Sequence, residues 1–226
     1  MAGNHKTFQG YFLRLLKRIE DIIKSRFMVI DGAMGTQIQN SEVPREAWIA
    51  PDGTEQEGCN ELLNITAPEI IKSIHRRYAV SGADMIKTNS FGAMDWVLDE
   101  YGLKRFSYRL SKIGAELVKE ICDEFSTPLQ PKFVLGSIGP GTKLPSLRHI
   151  DYDDMYRGYV EVAKGLIDGG CDIFLLETCQ DPLQIKSAIN ACRDVSSQKG
   201  VDIPIMVSVT IELSGTMLIG TDVSTI

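Results

Sequence analysis

Four places in the sequence put polar side chains at or just behind the end of a short apolar run. Asp31 follows residues 27–30, Thr88 and Asn89 follow the run that opens at Asp84, Ser137 lies just beyond residues 133–135, and Glu177 follows residues 173–176. If those runs are parallel strands, all five side chains stand at the carboxyl ends, where loops vary freely and α/β proteins bind ligands. Two carboxylates, Asp31 and Glu177, would then face one mouth from different strands. Such a pair suits a ligand carrying an ammonium group, because charge-assisted hydrogen bonds are short and about twice as strong as neutral ones. Asp31-Gly32 reads equally well as a simple turn. Glu177 is harder to reduce to structure, since a carboxylate directly after an apolar run is costly unless paired or partly solvated.

Other reactive residue types make weaker patterns. Gly136-Ser-Ile-Gly-Pro-Gly141 lacks the Lys-Ser/Thr ending of a phosphate-binding loop and Pro140 removes a backbone donor, so it is expected to shape the floor of a pocket. His5, His75 and His149 show no metal-ligand spacing and are read as surface or packing residues. Cys171 and Cys179 bracket one strand of roughly 26 Å and cannot share an ion. With Cys59, Cys122 and Cys192 they make five cysteines without C-x-x-C spacing, which reads as reduced, mostly buried thiols rather than a disulfide framework.

The elements that must position these groups follow from periodicity. Residues 6–25 carry Phe8, Phe12, Leu15, Leu16, Ile19, Ile22 and Ile23 at helical spacing, which predicts an N-terminal amphipathic helix. Residues 27–30 form a short continuous apolar run, expected as a first strand buried on both faces. Residues 36–65 are polar and irregular, and a loop of that length is usually functional. Thr66-Ala-Pro68-Glu69 predicts a helix start with Thr66 as its cap and Ile70, Ile71, Ile74 and Tyr78 as its buried stripe, ending at Ser81-Gly82. Strands are predicted at 84–88, 133–135, 172–176 and 205–209, and helices at about 104–125, 151–168 and 182–195. Thr221-Asp222 reads as the cap of a further helix. Strands alternating with helices imply β-α-β units and a parallel sheet. Ser81-Gly-Ala-Asp84 and Gly169-Gly-Cys-Asp172 each place an Asp at the opening of a strand behind a helix-ending glycine, the mark of a repeated unit.

Twenty-four basic against thirty acidic residues give a net charge of −6, which offers no electrostatic footprint for nucleic acid or an anionic membrane surface. The sequence has neither an apolar run long enough to cross a bilayer nor the pattern of a secretory signal, so a cytoplasmic location is expected. Residues 1–26 read as an extension and residues 27–226 as one domain.

Met28-Val-Ile-Asp-Gly-Ala-Met-Gly-Thr-Gln-Ile-Gln39 resembles the homocysteine-binding module of the cobalamin-dependent methionine synthases. The resemblance continues through Cys59-Asn-Glu-Leu-Leu-Asn-Ile-Thr-Ala-Pro-Glu69, Ala83-Asp-Met-Ile-Lys-Thr-Asn-Ser-Phe91, Gly136-Ser-Ile-Gly-Pro140 and Leu176-Glu-Thr178. It implies a (β/α)8 TIM barrel in which homocysteine, bound through its thiol to zinc, attacks the methyl group of methylcobalamin. By the same resemblance Asp31 and Glu177 hold the substrate's amino group, while Thr88, Asn89 and Ser137 line the pocket. A free thiol has a pKa near roughly 8.5, so a divalent cation would supply the thiolate nucleophile at neutral pH.

The family's zinc is held by three cysteines, one in a Gly-x-Asn-Cys segment after the sixth strand and a Cys-Cys pair after the eighth. Neither segment occurs in this sequence. Residues 27–226 are also fewer than the roughly 250 that a full barrel takes. The expectation is therefore an incomplete barrel of about the first five strands, with no zinc site and no methyl transfer by this chain alone. The cobalamin and methyltetrahydrofolate modules are expected on other sequence. Two alternatives stand beside this reading: a standalone homocysteine methyltransferase using betaine or S-methylmethionine, and a noncatalytic assembly partner that pairs its open sheet edge with another chain.

Overall fold

A computed structural model describes residues 19–225. Its centre is a parallel sheet of four strands in the order β1 (Met85–Lys87), β2 (Phe133–Ile138), β3 (Ile173–Cys179) and β4 (Ile205–Val209). Residue 30 adds a fifth member through a parallel bridge to Met85. The long helices are α1 (Pro68–Val80), α2 (Ser107–Phe125), α3 (Tyr152–Asp168) and α4 (Pro182–Lys199), which alternate with the strands. The architecture is α/β, an incomplete barrel.

Period-two alternation divides the sheet into two faces. Ile86, Val134, Ile138, Phe174 and Leu176 point outward and pack with Val118, Tyr159, Val162, Leu166 and Ala191 of the helices. Met85, Phe133, Leu135, Ile173 and Leu175 line the inner face, where Ile22 of the short helix Ile19–Ile23 packs against them. The predicted N-terminal helix is thus seen only from Ile19 onward; the rest of it lies outside the described residues.

Helix boundaries follow local chemistry. Asp181 caps α4 by accepting from the Leu183 amide at 2.8 Å, and Gly200 ends the helix at φ +66°, a left-handed conformation that glycine adopts without a Cβ penalty. The expected cap of α1 is corrected: Ala67, not Thr66, precedes the helix. The Thr66 hydroxyl donates instead to the Ala47 carbonyl at 2.6 Å, tying the long loop to the helix start.

Residues 27–30 also depart from expectation. Phe27 is 98 % exposed and Val29 57 %, so the run is not buried on both faces. Its backbone pairs on one side, Asp31 donating to Met85 and Asp84 to Val29, and no described element covers the other. An apolar run reads the same at a sheet's edge as at its centre.

The repeated unit has a physical basis. Gly82 and Gly170 both take positive φ, +102° and +89°. Asp84 and Asp172 then each accept from an amide at the start of the preceding segment, Val29 at 3.0 Å and Val134 at 2.8 Å. Each also donates its own amide to the same residue's carbonyl.

His75 lies fully buried on α1, and neither ring nitrogen has a hydrogen-bond partner. Burial alone pushes its pKa down from 6.5 to about 3. At this residue the unfolded chain therefore binds the extra proton between those values, and the His75 contribution to stability falls as pH drops through that window. The slope is at most about 1.4 kcal/mol per pH unit. Relative to the wild-type chain, His75→Phe should therefore gain stability as pH falls through that window and match it at pH 7, as read from urea midpoints across pH.

Candidate functional site

The inner face of the sheet changes from apolar to polar within one alternation step at its carboxyl end. Above Met85 comes Lys87, above Leu135 comes Ser137, and above Leu175 comes Glu177. Asp31 joins them from the paired edge segment, its Oδ2 accepting from the Lys87 amide at 3.1 Å. The turn behind it is held by a close approach: a Cβ on Gly32 would meet Tyr78 Oη at 2.8 Å, and that hydroxyl donates to the Ala33 carbonyl.

Within this layer, Ser137 Oγ donates to Glu177 Oε1 and Lys87 Nζ donates to Glu177 Oε2 at 3.2 Å. Both Glu177 oxygens are therefore engaged. Asp31 is not so satisfied, because its Oδ1 is buried and has no partner. Burial raises the Asp31 carboxyl from 3.8 to about 7; the Lys87 amide and ammonium pull it down and the Glu177 charge pushes it up.

Thr88 and Asn89 sit one layer away, as struts. The Thr88 hydroxyl accepts from the Ser137 amide at 2.9 Å and pairs with Ser90 Oγ at 2.6 Å, while Ser90 donates to the Ser137 carbonyl. That relay fixes where Ser137 points. The Asn89 amide donates to the Asn60 carbonyl and to Asn64 Oδ1, and Asn64 donates back to the Asn89 carbonyl at 2.7 Å. The long loop is thereby fastened to the strand end. Asp31, Ser137 and Glu177 are brought together, and Thr88 and Asn89 brace the loops around them.

Three contributors escaped the sequence reading. Lys87 is the first; the alternation from Met85 would have shown that it, and not Thr88, shares the inner face. Glu61 is buried, with its carboxyl raised by burial, and accepts from the Gly92 amide at 2.7 Å. Thr178 follows Glu177 at φ +63°, a left-handed conformation that costs a β-branched residue about 1 kcal/mol or more, beside an irregularity in the β3–β4 register. No local sequence signal marks either Glu61 or Thr178.

The described residues do not fit a zinc ion. No three His, Cys, Asp or Glu groups among them converge on one point. The five cysteines form no disulfide and are buried, and burial pushes the thiols of Cys59 and Cys179 up to about 12. A separate open cavity of ≈ 640 Å³ lies among the loops beyond β1 and β2, lined by Asp95, Trp96, Arg148 and Arg157 among others.

Comparison with known proteins gives a consistent result. A family model described as homocysteine S-methyltransferase matches residues 28–226. The chain is 44 % identical over 203 residues to the methionine synthase of Mycobacterium leprae and 42 % identical over 203 residues to that of Mycobacterium tuberculosis. Each alignment covers 90 % of this chain but only 16 % and 17 % of the relative, so the chain spans about a sixth of their length. Among solved structures, the oxidised form of the homocysteine methyltransferase MmuM from Escherichia coli matches with a TM-score of 0.68 at 18 % identity, covering 90 % of this chain and 69 % of that one. Its metallated form matches with the same score and identity over 89 % and 69 %. At that identity the likeness speaks for the fold.

Proposed function

The chain belongs to the homocysteine S-methyltransferase family, and from that premise we propose that its strand-end polar layer holds the amino-acid end of homocysteine and presents the thiol for methylation, as the homocysteine-binding part of a methionine synthase. The observation that carries this reading is the orphaned, buried Oδ1 of Asp31 beside Glu177. A buried acceptor without a donor costs free energy until a ligand fills it, and an ammonium group is the ligand that also neutralises its charge.

In this reading Asp31 and Glu177 receive the ammonium, Ser137 fixes the Glu177 carboxylate, and the struts from Thr88 and Asn89 keep the loops in register. The head group is thereby oriented with its thiol free. Cys59 and Cys179 stay protonated near neutral pH, so they do not compete as nucleophiles. The described residues supply no ligand set for zinc. The likeness to methionine synthases, at 42–44 % identity, favours methylcobalamin as donor over betaine or S-methylmethionine. Cobalamin and methyltetrahydrofolate modules are the proposed partners. Five cysteines without a disulfide support a reducing compartment, the cytoplasm, and no described helix is long and apolar enough to cross a membrane.

The test is the pH dependence of L-homocysteine binding measured by calorimetry. Asp31 must be ionised to pair with the ammonium, so affinity should rise as pH climbs toward and through about 7, by up to about tenfold per unit below that value. Binding that is flat between pH 6 and 8, or no binding at all, would remove this reading.

A further inference from the structure

We propose that Lys87 anchors the α-carboxylate of the substrate and so sets a preference for an amino acid over a plain amine; the assignment rests on the functional reading above. The polar layer alternates in sign, with Asp31, Lys87 and Glu177 side by side. In an amino acid the ammonium nitrogen and the carboxylate share one carbon. A site made of two carboxylates alone would attract the first group and repel the second at a separation of a few ångströms. A cation between them removes that conflict.

Lys87 is placed and equipped for this role. An ammonium carries three donors, and Lys87 uses one of them, on Glu177 Oε2 at 3.2 Å. Its side chain is 20 % exposed and stands on the inner face of the sheet with its ammonium against Glu177. Its position is tied to the ammonium-binding side, because its own amide donates to Asp31 Oδ2. The Lys87–Glu177 pair thus holds in advance the two charges that a zwitterion brings, and each partner keeps its preference when the ligand arrives.

The experiment compares L-homocysteine with 3-aminopropanethiol, the same molecule without its carboxylate, by calorimetry on the 226-residue chain. The wild-type chain should prefer homocysteine. Lys87→Met should weaken homocysteine by about 10- to 100-fold and leave 3-aminopropanethiol unchanged or tighter, while Lys87→Arg keeps the preference. Urea midpoints establish that each variant is folded, and Lys87→Gln replaces Lys87→Met should that variant fail to fold. A wild-type chain that binds both ligands equally, or a variant in which both weaken together, overturns the assignment of Lys87 and leaves the homocysteine reading standing. A wild-type chain that binds neither ligand overturns the functional reading itself.

Discussion

Asp31→Asn should weaken L-homocysteine binding by about 100-fold at pH 8 and, in the same protein, raise stability by about 2–4 kcal/mol. The two effects have one cause. The Asp31 carboxyl is held at about 7 in the folded chain against an ordinary 3.8, so the folded state binds the extra proton between those values. Its stability contribution is present at low pH and is lost as pH rises through that window. An amide at this position carries no charge to bury, and its oxygen can still accept from the Lys87 amide that now holds Oδ2. What it lacks is the negative charge for an ammonium. Calorimetry and urea unfolding on one preparation check both halves; weaker binding with lower stability would mark Asp31 as a structural residue instead.

This titration opposes that of His75. Between about pH 4 and 6.5, Asp31 makes the folded chain the better proton binder and His75 makes the unfolded chain the better one. Their slopes cancel in the wild-type protein over that range. Each emerges only when the other is removed: Asp31→Asn should lose stability as pH falls from 6.5, and His75→Phe should gain it.

Gly165→Ala should destabilise the chain by about 3 kcal/mol, although glycine to alanine inside a helix ordinarily gains about 1 kcal/mol. Gly165 lies where α3 crosses α2. A Cβ there would stand 2.4 Å from the Tyr108 carbonyl oxygen and 2.8 Å from Ser111 Cβ. Backbone is in the way, so the helices must separate, and Leu166 and Val162 would be drawn from the core they share with Val118. Gly200→Ala is the control. Nothing lies within 4 Å of its Cβ, and only the left-handed backbone at φ +66° opposes it, at about 1 kcal/mol. Urea midpoints should rank the two variants in that order.

Glu177 was legible because a charge directly after a buried apolar strand needs a reason, whereas Asp31 follows an exposed run and was legible only from its strand-end position. Ser137 was legible from the same strand-end position. Lys87 was not, because reading the strand through Thr88 hides the alternation that sends residue 87 inward. The roles of Thr88 and Asn89 rest on Ser137, Asn60 and Asn64, and contacts across 25 or more residues leave no local pattern. The starts of the four long helices were legible to within three residues, while the helix expected after Thr221-Asp222 is a turn with Asp222 bridged to Thr216. Thr66 misled because a tertiary carbonyl, that of Ala47, took the hydroxyl that a cap would have used. The apolar run at 27–30 could not reveal its own edge position, since that depends on which elements are its neighbours.

We propose that the ligand's head group sits at the carboxyl end of the sheet. Amide chemical-shift mapping of the 226-residue chain titrated with L-homocysteine tests it most directly. Shifts should centre on Asp31, Lys87, Ser137, Glu177 and Thr178 and be lost in Asp31→Asn. Shifts confined to the cavity around Asp95, Arg148 and Arg157, with the strand ends silent, would contradict it.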